Sequence, residues 1–205
     1  TVTCDKRLIK LFETSFKNIN FIERGNKLIY EKNFKYISSG DLGQFFRKNL
    51  KDFKQLPWIK TNPRLINKYK KLIRNNNKIK VGIGWSSLTS KSNKINKEKS
   101  ITINALTNLL PNQEIDIINL QYGNIDEDLN FLKKTKGHNL QIFDTIDYKN
   151  DIDDLAAIIL NCDFVISTSN FTACLSGSLG KKTFALDHAD STWIWTYNKK
   201  NMATW

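Results

Sequence analysis

From Lys78 onward, apolar residues gather in short runs separated by polar stretches with helical spacing, and the two rhythms alternate along the chain. Ile79–Gly84 predicts a buried strand, Ile103–Leu110 a helix, Ile115–Leu120 a strand and Asp126–Lys134 a helix. Leu140–Phe143 then predicts a short strand, Ile152–Leu160 a helix, Phe164–Ser167 a strand, Thr172–Leu179 a helix and Thr183–Leu186 a strand. Short apolar strands alternating with helices predict a parallel sheet covered on both faces, a Rossmann-like doubly wound α/β architecture. In such a sheet ligands gather at the carboxyl ends of the strands.

Upstream the pattern is less regular. Thr1-Val2-Thr3 is strand-like, and Leu8, Leu11, Phe12, Ser15 and Phe16 fall near one face of a helix. Asn20–Glu23 predicts a short strand and Asp41–Asn49 a second helix. Leu56-Pro57-Trp58-Ile59 and Asn62-Pro63 then oppose regular structure, so a connector is expected there, dividing the chain into regions 1–62 and 63–205. Pro63 suits a helix start, and Leu65, Ile66, Tyr69, Leu72 and Ile73 carry helical spacing up to Asn75–Asn77. The chain starts without Met and stops abruptly at Met202-Ala203-Thr204-Trp205, from which a fragment is expected, with pieces missing at both ends.

Composition narrows the class. With 205 residues and 40% hydrophobic content, a large domain or two small α/β lobes can form. The three cysteines, Cys4, Cys162 and Cys174, lack both pairing in number and metal-ligand spacing, which argues for a reducing cytoplasm, with a peripheral position at the inner membrane as an option. No apolar run approaches the roughly 20 residues of a transmembrane helix, and no signal peptide is visible. The net charge of +12 invites a polyanion partner, yet the basic residues are scattered among Asn and Ile, as in Asn67–Lys80 and Ser90–Lys99, with no interleaved aromatic stripe. A solvated basic surface is the simpler reading, and nucleic acid is not expected as a partner.

The predicted strand ends supply the candidate chemistry: Gly84-Trp85-Ser86-Ser87, Gln121-Tyr122-Gly123, Ser167-Thr168-Ser169-Asn170 and Asp187-His188 all fall on one rim. Ser169, Asn170 and Thr172 precede or open a helix rich in Ala173, Ser176, Gly177 and Ser178, where side chains, backbone donors and the positive helix end suit a phosphate. Ser169 or Asn170 equally suits a helix cap, and the two roles are compatible. Gln121 could read a base or ribose, or be an ordinary polar strand end. Lys91 and Lys99, in a long polar loop, could neutralise a diphosphate or simply be solvated. Asp151, Asp153 and Asp154 look like a carboxylate cluster but sit where a helix begins, which favours first-turn stabilisation. His138 and His188 are the only histidines, so a multi-histidine metal centre is excluded. His188 at the rim could act as base or phosphate donor, or be a surface histidine; Trp193 and Trp195 could stack on a base or sugar, or close the lobe. Val81-Gly82-Ile83-Gly84-Trp85 lacks the third glycine of a dinucleotide fingerprint.

Taken in order, KVGIGW (Lys80 to Trp85), KSITINALTNLL (Lys99 to Leu110), NLQYG (Asn119 to Gly123), DIDDLAAIILNCDFVIST (Asp151 to Thr168), SNFTACLSGSLGKKTFAL (Ser169 to Leu186) and WIW (Trp193 to Trp195) resemble a known pattern. It is similar to the C-terminal lobe of bacterial GT-B glycosyltransferases that follow tetratricopeptide repeats, related to the heptosyltransferases of glycosyltransferase family 9 and to O-GlcNAc transferase-like proteins. CDKRLIKLFETSF (Cys4 to Phe16) and LPWIKTNP (Leu56 to Pro63) resemble the end of the N-terminal lobe and the interlobe connector. The resemblance implies a partial acceptor-side lobe over 1–62 and a nucleotide-sugar lobe over 63–205, possible upstream repeats, and transfer of a sugar to a glycan, lipid-linked or protein acceptor. It further implies that Ser169, Asn170 and Thr172 meet the diphosphate, Gln121 the nucleoside side, and Trp85, Ser86 and Ser87 the cleft floor, with Lys99 as a nearby cation. It implies neither metal nor cofactor. Cys174, before Leu175-Ser176-Gly177, stands where the family has histidine, and the family's carboxylate base falls in the part of the N-terminal lobe outside this chain, so no catalytic residue is assigned; a degenerate binding module is the alternative.

Overall fold

Ile79–Gly84 forms the central strand of the sheet because its inner part, Val81–Gly84, is apolar or side-chain-free on both faces. In the computed structural model, which describes residues 1–25, 35–53, 57–87, 97–110, 114–134 and 140–187, Val81 and Ile83 are fully buried. Gly82 has no room for a side chain: a Cβ there would lie 2.5 Å from Leu120 Cδ1 and 3.0 Å from Cys162 Sγ. The strand is therefore held at close quarters by its neighbours.

The elements follow in order: β1 Val2–Cys4, α1 Lys6–Ser15, β2 Phe21–Glu23, α2 Gly43–Phe46, α3 Pro63–Leu72, β3 Ile79–Gly84, α4 Ile103–Thr107 and β4 Ile115–Asn119. Then come α5 Asp126–Lys134, β5 Leu140–Gln141, α6 Ile152–Leu160, β6 Phe164–Thr168, α7 Phe171–Ser178 and β7 Thr183–Leu186, with 3-10 turns at Ser39–Leu42 and Leu50–Asp52. Strands β3 to β7 make a five-stranded sheet in the order β5-β4-β3-β6-β7. Every pairing is parallel, with Val81 opposite Ile117 on one side and Phe164 on the other. The chain builds outward from β3 through β4 to β5, then crosses back to lay β6 and β7 on the opposite side. The reversal lies between β3 and β6, and it opens a crevice at their carboxyl ends.

Period-two alternation sends neighbouring residues to opposite faces. Val81, Ile83, Ile115 and Ile117 pack with Ile103 and Leu106 of α4 and Leu132 of α5. Ile118 and Val165 face the other way, into a larger cluster with Tyr69 of α3, Leu155 and Ile158 of α6 and Leu175 of α7. Helices thus cover both faces, the doubly wound α/β architecture that the sequence predicts. The helix starts are capped locally: Asp5 Oδ1 accepts from Arg7 N at 3.0 Å, and Asn62 Oδ1 from Arg64 N at 2.9 Å, with Pro63 in the first turn.

Strands β1 and β2 pair in a separate two-stranded parallel sheet. Helix α1 joins them, and Leu11 on it is fully buried in the same cluster as Ile158 and Tyr69. The connector rests on the end of α7: Trp58 N and Ile59 N both donate to Ser178 O, at 3.1 and 3.2 Å. Gly180, at φ +73°, makes this approach possible, since a Cβ would lie 2.8 Å from Pro57 Cβ.

Several boundaries shift by one residue from expectation, as at β2, β4, β6 and α7, and three elements differ by more. The helix expected over 41–49 is a 3-10 turn followed by the single turn of α2, because no residue of either is buried to hold a longer helix. Helix α4 ends at Thr107 rather than Leu110, leaving Leu109 75% exposed. Strand β5, at the sheet edge, has two residues.

Candidate functional site

The β6 exit leads directly into α7, and Asn170 makes the turn. Its backbone is extended, φ −132° and ψ −173°, while its side-chain Oδ1 accepts from Thr172 N at 2.9 Å and Ala173 N at 3.3 Å. Ser167 Oγ, fully buried, lies 3.1 Å from the same Oδ1. Asn170 Nδ2 donates to Thr168 Oγ1 at 3.1 Å and across the crevice to Ser86 O at 3.4 Å. The cap role left open by the sequence is therefore present, and Asn170 also joins the two strand ends.

Two hydroxyls remain unspent at this turn. Thr172 is 1% exposed, and its buried Oγ1 has no hydrogen-bond partner among the described residues. Ser169 is half-buried with its backbone N–H donating to Leu186 O at 3.0 Å, and no described residue bonds its hydroxyl. A buried hydroxyl without a partner is costly, so a group that supplies one is favoured at this place. Gly84 keeps the space narrow, because a Cβ there would meet Ser167 Oγ at 2.9 Å.

The facing wall is braced by Gln121. Its Oε1 accepts from Trp85 N at 2.9 Å and Ser86 N at 2.8 Å, while its Nε2 donates to Ser86 O at 3.1 Å and Tyr122 O at 2.9 Å. Asn119 completes the corner by accepting from Gln121 N at 3.2 Å and donating to Gln121 O at 3.1 Å. Gln121 is 2% exposed, so its amide is committed to the protein, and a direct bond to a base would require giving up one of these contacts. Trp85, also 2% exposed, turns its indole into the protein and donates from Nε1 to Asp128 Oδ2 at 2.7 Å. The indole stiffens the wall from behind.

Ser86 is the meeting point. Its carbonyl accepts from both Gln121 and Asn170, and its hydroxyl lies 3.4 Å from Ser100 Oγ. Ser87 N donates to the same Ser100 Oγ at 3.0 Å, and Ile101 N donates to Trp85 O at 2.9 Å. These bonds fold the 97–101 segment against the β3 exit and bring half-buried Lys99, next to Ser100 in the chain, to this wall. Cys174 lies one turn into α7, its N–H donating to Asn170 O at 3.2 Å. Burial pushes its thiol pKa up, so it stays neutral.

Sequence reasoning missed Ser100, Asn119 and Asp128, which hold the candidate residues in place. Ser100 precedes an apolar Ile101 and Asn119 ends an apolar run; nothing in their spacing shows which strand end they meet. Lys91, His138, His188, Trp193 and Trp195 lie outside the described residues. The three helix-start carboxylates are not a cluster. Asp154 accepts from Tyr69 Oη at 2.6 Å and Lys68 Nζ at 3.1 Å, and Asp151 Oδ2 accepts from Asp147 N at 2.8 Å. Among the described residues no three His, Cys, Asp or Glu side chains are grouped to hold a metal ion.

Fold and site together define an α/β lobe with a polar crevice at the switch point of its parallel sheet. No protein-family model matches the chain. It is 35% identical over 120 residues to Protein FlbA of Caulobacter vibrioides (strain ATCC 19089 / CIP 103742 / CB 15), a stretch covering 57% of this chain and 19% of that protein. The chain therefore spans a small share of its relative's length. Among solved structures, the glycosyl transferase family 9 from Veillonella parvula DSM 2008 is similar with a TM-score of 0.43 and 13% identity, over 70% of this chain and 46% of that one. Among the described residues no helix is long and apolar enough to cross a membrane.

Proposed function

We propose that this chain binds a nucleoside-diphosphate sugar in the β3–β6 crevice, as the donor-side lobe of a GT-B glycosyltransferase whose acceptor is a glycan, a lipid-linked sugar or a protein. The observation that carries the reading is the pair of unspent hydroxyls, Ser169 and Thr172, at the N-terminus of α7, on the rim where doubly wound sheets hold ligands. Phosphate oxygens would accept from these hydroxyls, since the Thr172 and Ala173 N–H groups of the first turn are already taken by Asn170 Oδ1. The six-segment resemblance of the sequence supplies the sugar-transfer part of the reading. Asn170 would act by shaping the turn, and Gln121 by fixing Ser86 and Ser87 opposite it. Lys99 would offset charge on the departing nucleoside diphosphate, and a base outside this chain would take the acceptor's proton. No step in this scheme calls on a metal or a cofactor.

Isothermal titration of the chain with nucleoside diphosphates, nucleotide sugars and inorganic diphosphate tests it. Thr172→Val keeps the shape of the side chain and removes only the hydroxyl, and Ser169→Ala removes a hydroxyl that no described residue uses. Each is expected to weaken nucleoside-diphosphate binding about 5- to 30-fold; in the free chain Thr172→Val should raise the unfolding temperature, because it removes a buried hydroxyl without a partner, and Ser169→Ala should leave it nearly unchanged. Binding by none of the nucleotides, or equal binding by both variants, defeats the reading.

Cys174 favours a second reading, a lobe that binds donor without transferring it. A neutral thiol offers a phosphate far less than an imidazole would. In the longer protein, Cys174→His is expected to raise donor turnover if transfer has been weakened at this residue, and to leave it at zero if the lobe only binds.

A further inference from the structure

The segment between the two strands of the small sheet and the connector carries an unusual surface. From Ser39 to Phe46 the backbone runs as a 3-10 turn continued by α2, and neither contains a buried residue. Leu42, Phe45 and Phe46 stand at i, i+3 and i+4, so they share one side of this short helical stretch. That side is open: Leu42 is 39% exposed, Phe45 59% and Phe46 65%, with Ile37 just upstream at 50%.

Immediately after the apolar side come exposed Arg47 and Lys48, then exposed Lys51. Arg47 is held at the end of α2, its Nη1 donating to Phe46 O at 3.0 Å and its guanidinium 5.7 Å from the Phe53 ring centroid. Of the nearby carboxylates, Asp52 is spent internally, with its Oδ2 accepting from Lys48 N at 3.0 Å and Asn49 N at 2.9 Å. Asp41 is the other acidic side chain of the segment. Aromatic side chains beside a basic rim have the chemistry of the lipid headgroup boundary, where rings sit in the acyl edge and cations meet lipid phosphates.

We propose that Leu42, Phe45 and Phe46, with Arg47, Lys48 and Lys51, form a docking surface for an anionic lipid bilayer. The net charge of +12 adds long-range attraction to such a surface. The same charge opposes a second copy of this chain across the face, since two strongly basic molecules would meet there. A helical stretch this short is marginal in water and gains order when its apolar side enters the interface. Binding is weak and reversible, because only a few side chains insert.

Cosedimentation of the full 205-residue chain with vesicles tests the proposal. Vesicles of phosphatidylcholine containing phosphatidylglycerol are expected to bind it at low salt and to release it progressively as salt rises, while phosphatidylcholine alone binds little. Phe45→Ser combined with Phe46→Ser is expected to lower partitioning by at least about tenfold. Arg47→Gln combined with Lys48→Gln is expected to lower it by about tenfold or more. Both double variants change exposed side chains, and circular dichroism with thermal unfolding should show each folded as the parent. No binding to phosphatidylglycerol vesicles overturns the proposal. So does equal binding by the serine variant, which would trace the attraction to basic residues elsewhere. A dimer in solution that the serine variant dissociates also overturns it, by showing that a second copy covers the face.

Discussion

Asp153 is a buried carboxylate whose surroundings disfavour its charge. It is 6% exposed on α6, and its Oδ1 has no hydrogen-bond partner among the described residues. Burial pushes its pKa above the usual 3.8, Lys10 on α1 pulls it back, and Asp154 on its own helix adds to the rise. A carboxyl with a raised folded-state pKa binds its proton more tightly folded than unfolded. Its contribution is therefore most favourable at low pH and is lost as pH climbs from about 3.8 through the folded-state value. Asp153→Asn removes this penalty. The variant is expected to unfold at a higher temperature than the parent near neutral pH, with the gap closing as pH falls into the carboxylate range. A gap that stays constant with pH would show that Asp153 is not charged in the folded protein at neutral pH. Nearby Asp154 behaves differently because Tyr69 and Lys68 both donate to it. Burial first, and then the Asp154 carboxylate, push the Tyr69 hydroxyl up to about 12, so it remains a donor at neutral pH.

Between elements, the decisive contacts are amide bridges across strand ends. Gln121 ties the β4 exit to the β3 exit through three hydrogen bonds, a fourth closing on Tyr122 O of its own strand exit, and Asn170 ties the β3 exit to the start of α7. Gln121→Ala would orphan buried groups of Trp85, Ser86 and Tyr122. It is expected to cost about 2–4 kcal/mol, read as a lowered denaturant midpoint at unchanged slope. A cost below about 0.5 kcal/mol would mean that water or a side-chain shift replaces the brace without penalty. The strands and helices themselves were readable in the sequence: β3, β7, α5 and α6 match the expected spans residue for residue. Each is an apolar or amphipathic run closed by Asn, Gly or charged residues, and that pattern follows burial directly. Leu42, Phe45 and Phe46 misled for the same reason. Helical spacing of apolar residues signals packing, and here that side is exposed. At the rim, the residue types were legible and their roles were not. Whether Gln121 faces a ligand or a neighbouring backbone depends on which strand ends lie side by side, and a linear pattern carries no such information.

Across the whole molecule, one core joins pieces that the sequence presents as separate regions. Leu11 of α1 and Ile59 of the connector lie in the same cluster as Tyr69 of α3 and the apolar side of α6. Arg7 reaches the 140s loop as well, its Nη1 donating to Lys149 O at 3.0 Å. The connector is anchored too, through Ser178 O and the close fit of Pro57 against Gly180. Residues 1–25 should therefore be stabilised by the large sheet rather than by their own two-stranded sheet, which is too small to hold a core. Leu11→Ala puts this to the test. Leu11 is fully buried, so the loss of its side chain is expected to cost about 2–5 kcal/mol. Because the cluster is shared, the cost should appear in a single cooperative unfolding transition that lowers amide-exchange protection in α6 together with α1. Two transitions, with α1 losing protection while α6 keeps it, would show instead that residues 1–25 form an independent unit resting on the sheet.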